Sequence, residues 1–258
     1  MSYRVLCLGD IVGTAAVEYI SHRLWNFRKQ HNINLTVANG ENADPGNGIT
    51  RASAEKLLSS GVDVITSGNH VWQKKDMHVY LDECRYMLRP ANYPSSDPGS
   101  GAVLCDADGK RVLVMNVQGT VFMEPLADPF DTVDALLDSY RGKYDYSVLD
   151  IHAEATAEKI ALARYFDGRI DIIVGTHTHV QTADEQILEK RTGYITDLGM
   201  SGVQSGVLGV DTACIIEKFR TKMPTRFLPA GGEVIVKGAV FGINVQNGGV
   251  EFVERVEF

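Results

Sequence analysis

Asp171-Ile172-Ile173-Val174-Gly175-Thr176-His177-Thr178-His179 reads as a buried strand whose last residues are two histidines one position apart. Neutral imidazole is the commonest protein metal ligand, and ligands of open α/β sheets gather at the carboxyl ends of the strands. A single His-x-His is weak evidence, because two histidines bonded to backbone or water read the same way. Its meaning depends on what other strands carry to the same edge.

Working outward, short β-branched or apolar runs recur at Val5 to Leu8, Leu35 to Ala38, Val62 to Thr66, Arg111 to Val117 and Tyr146 to Ile151, each followed by Gly, Asn or Asp. Helical spacing separates several of them. Val17, Ile20, Leu24 and Phe27 follow Thr14 as a candidate cap; Ala52 to Ser60 stops at Gly61; further helices fit Gln73 to Glu83, Thr132 to Tyr140 and Ala153 to Phe166. Alternation of this kind predicts βαβ units and a largely parallel sheet over the first two thirds. Beyond about residue 190, Gly193 to Thr196, Ala213 to Phe219, Glu233 to Val245 and Val250 to Phe258 all read as strands, with a hairpin turn at Asn247-Gly248-Gly249. The expectation is a second, mostly antiparallel sheet closing on the first. The fold class is therefore α/β, two packed mixed sheets flanked by helices, in one domain spanning 1–258.

Bulk properties narrow the chemistry. A composition of 44% apolar and 22% charged residues is that of an ordinary globular protein, and a net charge of −8 disfavours binding along duplex nucleic acid. Cys7, Cys84, Cys105 and Cys214 are scattered without a C-x-x-C pair, so they read as reduced packing residues. The N-terminus carries no signal-peptide pattern, and no apolar run has transmembrane length, which predicts a cytoplasmic protein without membrane contact.

The residues that follow each expected strand are chemically biased: Gly9-Asp10, Asn39-Gly40-Glu41-Asn42, Ser67-Gly68-Asn69-His70, Asp150-Ile151-His152, and His177-Thr178-His179. Any one Asp or Asn here could be a helix cap. Capping does not call for His70, His152, His177 and His179, nor for a Gly directly before Asp10, Glu41 and Asn69, where the backbone is expected to turn sharply and approach a neighbour closely. Oxygen and nitrogen donors without sulfur suit manganese, iron, zinc, cobalt or nickel, and the donors suffice for two ions. Paired metals are a general solution for phosphate ester hydrolysis.

In this order the segments resemble the five motifs of the calcineurin-like metallophosphoesterase superfamily. Gly9-Asp10-Ile11-Val12-Gly13, Asn39-Gly40-Glu41-Asn42-Ala43, Arg89-Pro90-Ala91-Asn92-Tyr93-Pro94, His152-Ala153-Glu154-Ala155-Thr156 and Thr178 to Glu185 are similar to its bacterial YmdB-type branch. The resemblance implies a dinuclear site, iron or manganese foremost, in which Asp10 and His179 hold one metal, Asn69, His152 and His177 the other, and Glu41 bridges. It also implies hydrolysis of small cyclic nucleotides, 2',3'-cyclic first and 3',5'-cyclic second, by a metal-bridging hydroxide. Val12 stands where the superfamily usually has a metal-binding histidine, and Glu41 where it usually has Asp; both departures are shared with the YmdB-type branch.

His70, next to Asn69, is expected to protonate the leaving group or at least to orient phosphate, and Asn42 to donate to a phosphoryl oxygen, orient the hydroxide or form an Asx turn. Arg89 could meet phosphate and Tyr93 stack on a base, or their loop could be a rigid connection. Glu154, Asp184 and Glu185 are candidates to orient imidazoles. A phosphomonoesterase using the same site, or a nucleotide-binding regulator acting through a partner, are the alternatives; a homo-oligomer is compatible with either. Strict alternation would leave His177 and His179 on one face, so serving two metals requires the chain to leave β geometry there.

Overall fold

Burial on both faces of the central strands fixes the layering. The computed structural model describes residues 2–258. In chain order it contains β1 (Ser2–Leu8), β2 (Asp10–Ile11), α1 (Thr14–His31), β3 (Leu35–Asn39), α2 (Arg51–Ser59), β4 (Val64–Thr66), α3 (Met77–Glu83), β5 (Ala102–Ala107), β6 (Lys110–Gln118) and α4 (Pro129–Ser139). There follow β7 (Tyr146–His152), α5 (Thr156–Tyr165), β8 (Ile172–Thr176), β9 (Gln186–Ile187), β10 (Gly193–Ile195), β11 (Met200–Val203), α6 (Thr212–Thr221), β12 (Val234–Ile235), β13 (Lys237–Asn244) and β14 (Val250–Glu257). One sheet runs β14-β13-β1-β3-β4, the other β5-β6-β7-β8-β10-β9, and a small third sheet runs β12-β11-β2.

Val5, Cys7, Val37 and Phe241 of the first sheet share a core with Val112, Val114, Val148 and Ile172 of the second, so the two sheets pack face to face. The alternate residues point outward. Leu6 and Leu8 meet Ile20, Leu24 and Leu57 of α1 and α2, while Leu113, Leu149 and Ile173 meet Val133, Leu162 and Phe166 of α4, α5 and its C-terminal end. This is the expected pair of mixed sheets between helical layers.

The strands are distributed differently from the expectation. The parallel strands of the first two thirds split between both sheets, β1-β3-β4 in one and β6-β7-β8 in the other, and the late strands do not form a sheet of their own. β13 instead pairs antiparallel with β1 from Ser2↔Asn244 to Leu8↔Gly238, and β10 pairs parallel with β8. An apolar run shows that a strand is buried but does not name its neighbour. Ala213 to Phe219 is helical: the Asp211 carboxylate accepts from Cys214 N and caps α6, with Ile215 as its buried residue. Thr14 is the first residue of α1 and not its cap, since Gly13 at φ 80° occupies that position without a side-chain bond. Residues 73–76 form turns, so the third helix starts only at Met77. The Asn247-Gly248-Gly249 turn does join β13 to β14, with both glycines at positive φ and Gly248 N donating to Asn244 O. All four cysteines are unpaired, with Cys7 and Cys105 buried. No helix among the described residues is long and apolar enough to cross a membrane.

Candidate active site

Parallel strands from both sheets end at one edge, and their following residues converge there. β2 supplies Asp10, the loop after β3 supplies Glu41 and Asn42, the loop after β4 supplies Asn69 and His70, β7 ends on His152, and His177 and His179 follow β8. Close approach explains the preceding glycines. A Cβ on Gly9 would lie 1.8 Å from Gly199 O; on Gly40, 2.8 Å from Ile65 Cγ2; on Gly68, 2.1 Å from His152 Cδ2 and 2.5 Å from Glu41 Oε2. None of the three has positive φ, but the chain does turn after two of them: Gly40 O accepts from Ala43 N at 3.2 Å and Gly68 O from Val71 N at 3.1 Å. His177 and His179, by contrast, sit at φ 99° and 66°, a region that side chains with a Cβ disfavour. The chain does leave β geometry at this point.

The divergence creates two clusters that share Glu41. Ligand-capable atoms of Glu41, His152 and His177 lie within 4.8 Å of one another, and so do those of Asp10, Glu41 and His179. Around His152 Nε2 stand Glu41 Oε2 at 3.1 Å, Asn69 Oδ1 at 3.0 Å and His177 Nδ1 at 3.0 Å. Three acceptors around one N–H exceed what a single proton can serve, an arrangement whose unused lone pairs suit a cation. On the other side, Asp10 Oδ2 accepts from His177 N, but its fully buried Oδ1 has no hydrogen-bond partner, and neither has His179 Nδ1. A buried carboxylate oxygen without a donor, such as Asp10 Oδ1, is costly unless something absent from the polypeptide satisfies it.

The electrostatics agree. Burial pushes the Asp10 carboxyl well above the usual carboxylate range. Burial would raise Glu41 as well, but His152 and His70 beside it hold its carboxyl well below that range. For His152, burial opposes the charge, yet Glu41, Asp10 and Asp150 raise it to about 9. Burial and the charge on His152 lower His177 to about 4, and burial also lowers His179. His152 is thus the group that burial and its acidic neighbours leave most inclined to hold a proton, while His177 and His179 incline to the neutral form that offers a lone pair. This donor set fits divalent cations, for which the His152 proton is a stand-in.

Hydrogen bonds behind the site orient these groups. His152 Nδ1 donates to Thr176 Oγ1 at 2.9 Å, and Thr176 Oγ1 donates to Asp150 Oδ1 at 2.8 Å, which leaves Nε2 for the cluster. Asn39 Nδ2 also donates to Asp150, and Asn39 Oδ1 accepts from Glu41 N, tying the two sheets together under the site. Asp150, Thr176 and Asn39 are buried strand residues whose polarity among apolar neighbours is the signal that could have marked them.

The other expected residues divide. Asn42 Nδ2 donates to Glu41 Oε1 at 2.7 Å and to His179 Nε2 at 3.2 Å, with no Asx-turn bond. His70 contacts Glu41 Oε1 through Nδ1 at 3.1 Å and Asn47 Nδ2 through Nε2 at 3.1 Å, so it joins the site from outside both clusters. Glu154 Oε2 meets His177 Nε2 at 3.1 Å as expected. Asp184 instead accepts from Thr182 and Thr196, and Glu185 pairs with Arg255. Arg89 is not available to a phosphate: it is 5% exposed, and its guanidinium donates to the carbonyls of Pro90, Pro94 and Pro98. The prolines cannot donate, and their loop folds its free carbonyls around the cation. Tyr93 is not a stacking platform either; its ring is buried edge-on against Trp72 and its hydroxyl donates to Glu124.

A two-sheet α/β sandwich with a shared carboxylate between two histidine-bearing clusters defines a metallophosphoesterase-like architecture. The chain belongs to the YmdB-like protein family, which it matches over residues 6–256. It is 42% identical to the 2',3'-cyclic-nucleotide 2'-phosphodiesterase of Bacillus subtilis (strain 168) over 98% of this chain and 96% of that one. Among solved structures, a hypothetical protein from Thermus thermophilus is similar at 36% identity and a TM-score of 0.92, covering 99% of this chain and 98% of that one. A structure described as a novel phosphatase from Mycoplasma pneumoniae is similar at 30% identity and a TM-score of 0.93, covering 100% and 94%.

Proposed function

We propose that this chain is a metal-dependent phosphodiesterase that hydrolyses 2',3'-cyclic nucleotides, with 3',5'-cyclic nucleotides as secondary substrates. The observation that carries this reading is the pair of clusters sharing Glu41, with His70 beside them and bound by neither. Asp10, Glu41 and His179 would hold one cation, and Glu41, Asn69, His152 and His177 the other; iron and manganese suit these donors best. When bound, such a pair supplies a water-derived nucleophile at neutral pH and neutralises phosphoryl charge during in-line displacement.

The chain's own groups do the rest. Thr176 keeps the His152 proton on Nδ1, Glu154 holds His177 from its far nitrogen, and the Asn42 amide, bonded to Glu41 and His179, would turn an N–H to a phosphoryl oxygen once a cation takes the His179 lone pair. His70 has a quarter-exposed side chain in contact with Glu41 and is placed to protonate the departing 2'-oxygen. For the base, the open aromatic is Phe122, 89% exposed and held at φ 63°, rather than Tyr93. Its neighbour Met123 accepts through Sδ from Glu154 N, which sets this loop at the rim.

The test is hydrolysis of 2',3'-cyclic AMP by the manganese- or iron-loaded protein, with Asp10→Asn as the control. Turnover to the 3'-nucleotide that is lost in the variant supports the reading. No turnover of either cyclic nucleotide or of bis(p-nitrophenyl) phosphate by the loaded wild type would sink it.

A further inference from the structure

Helix α5 sends a cation into the floor of the site. Lys159 is fully buried, and its Nζ donates to Asp197 Oδ2 at 2.8 Å. The side chain passes Gly175 so closely that a Cβ there would stand 2.8 Å from Lys159 Cδ. A buried ion pair is expensive to desolvate and is weak evidence of stability in itself. What surrounds the carboxylate suggests a use.

Asp197 Oδ2 also accepts from Thr178 N at 3.1 Å and Thr178 Oγ1 at 2.7 Å, so both donors of Thr178 end on one oxygen. Thr178 lies between His177 and His179, the two residues with disfavoured positive φ. Such backbone persists only where the surroundings over-determine it. The other carboxylate oxygen, Oδ1, accepts from Gly199 N at 2.8 Å, and Gly199 O accepts from Asp10 N at 3.0 Å. Met200 N donates to His179 O at 3.1 Å. One carboxylate thereby reaches both Asp10 and His179, whereas His152 is oriented separately by Thr176 and Asp150.

We propose that Lys159 and Asp197 are positioning residues: the buried pair clamps Thr178 so that His177 and His179 diverge, seats the backbone under Asp10, and so sets the Asp10–Glu41–His179 cluster. The proposal rests on the metal reading given above. It weights the two clusters differently: Glu41, Asn69 and His152 have no hydrogen bond to the clamp, and only His177 ties their cluster to it.

The test is a manganese titration of the full chain followed by electron paramagnetic resonance, with Lys159→Met and Thr178→Val beside the wild type. The wild type is expected to bind two Mn(II) per chain with the broadened spectrum of a coupled pair. In the variants the weaker manganese should bind about 100-fold and about tenfold less tightly, respectively. That loss should leave the six-line spectrum of an isolated ion in the other cluster. Thr178→Val keeps the backbone donor and the side-chain shape, so it carries the test should Lys159→Met fail to fold. Variants that keep the coupled spectrum at wild-type manganese concentrations, or that lose both ions equally with a lowered melting temperature, overturn the clamp and leave the metal reading standing. A wild-type chain that binds no manganese overturns both.

Discussion

The two halves of the site are built by different means. Apart from His177, which lies in the turn after β8, the half around His152 is anchored on residues that end regular strands: His152 is the last residue of β7, and its partner Thr176 is the last of β8, paired with it in register. Its acceptors are already gathered around the His152 proton. The half around Asp10 and His179 uses a segment out of β geometry and leaves Asp10 Oδ1 and His179 Nδ1 without partners. One half is thus preorganised by the sheet, and the other depends on contacts that hold a disfavoured turn. The first should tolerate the absence of metal better, since a proton can take its place.

The strongest way to break this contrast is Gly68→Ala. The added Cβ would collide with His152 and Glu41, the preorganised half and the shared carboxylate together. Activity should fall by at least about 100-fold, as expected for displacement of reacting groups by about an ångström. The melting temperature should also drop, with overpacking costing about 1–3 kcal/mol. Near-wild-type turnover of a cyclic nucleotide by this variant would mean that His152 and Glu41 need not be held as seen.

Varying pH sharpens the contrast. His152 is raised to about 9, so below that pH a bound cation must displace its proton, and metal affinity should rise about tenfold per pH unit up to about pH 9. The sign for the metal-free fold is opposite. A histidine raised in the folded state contributes stability that is complete below about pH 6.5, its unfolded value, and lost as pH rises through about 9. Calorimetric titration in buffers of different ionisation heat would count the released protons; none released at pH 7 would remove the stand-in proton from the account.

The smallest effect belongs to the rim. Phe122→Ala should raise KM for a cyclic nucleotide about tenfold, the scale of one base–aromatic stack, with little change in kcat. Bis(p-nitrophenyl) phosphate, which has no base, should be hydrolysed as before. Equal losses on both substrates would place Phe122 in the loop's structure and not in recognition.

Much of this was legible in the chain. Glycines before Asp10, Glu41 and Asn69, and histidines after apolar runs, marked the converging edge because strand ends in α/β sheets leave such residues little structural reason to recur. The opposite failures have one cause. Arg89 and Tyr93 looked available because a sequence shows what a side chain could bind, not which carbonyls or rings already occupy it. Lys159 was invisible for the converse reason: a lysine on an amphipathic helix reads as solvent-facing, and only the passage past Gly175 reveals that it turns inward.

The sequence by itself determined which strands are buried on both faces, where helices interrupt them, and which donor atoms the strand ends carry, since periodicity and side-chain chemistry are local properties. Tertiary structure alone decided which sheet each strand joins, that Ala213 to Phe219 coils into α6, and which contacts hold the turn that parts His177 from His179. Those outcomes depend on pairing and packing between residues far apart in the chain, as Asp197 and Lys159 are from each other and from Asp10.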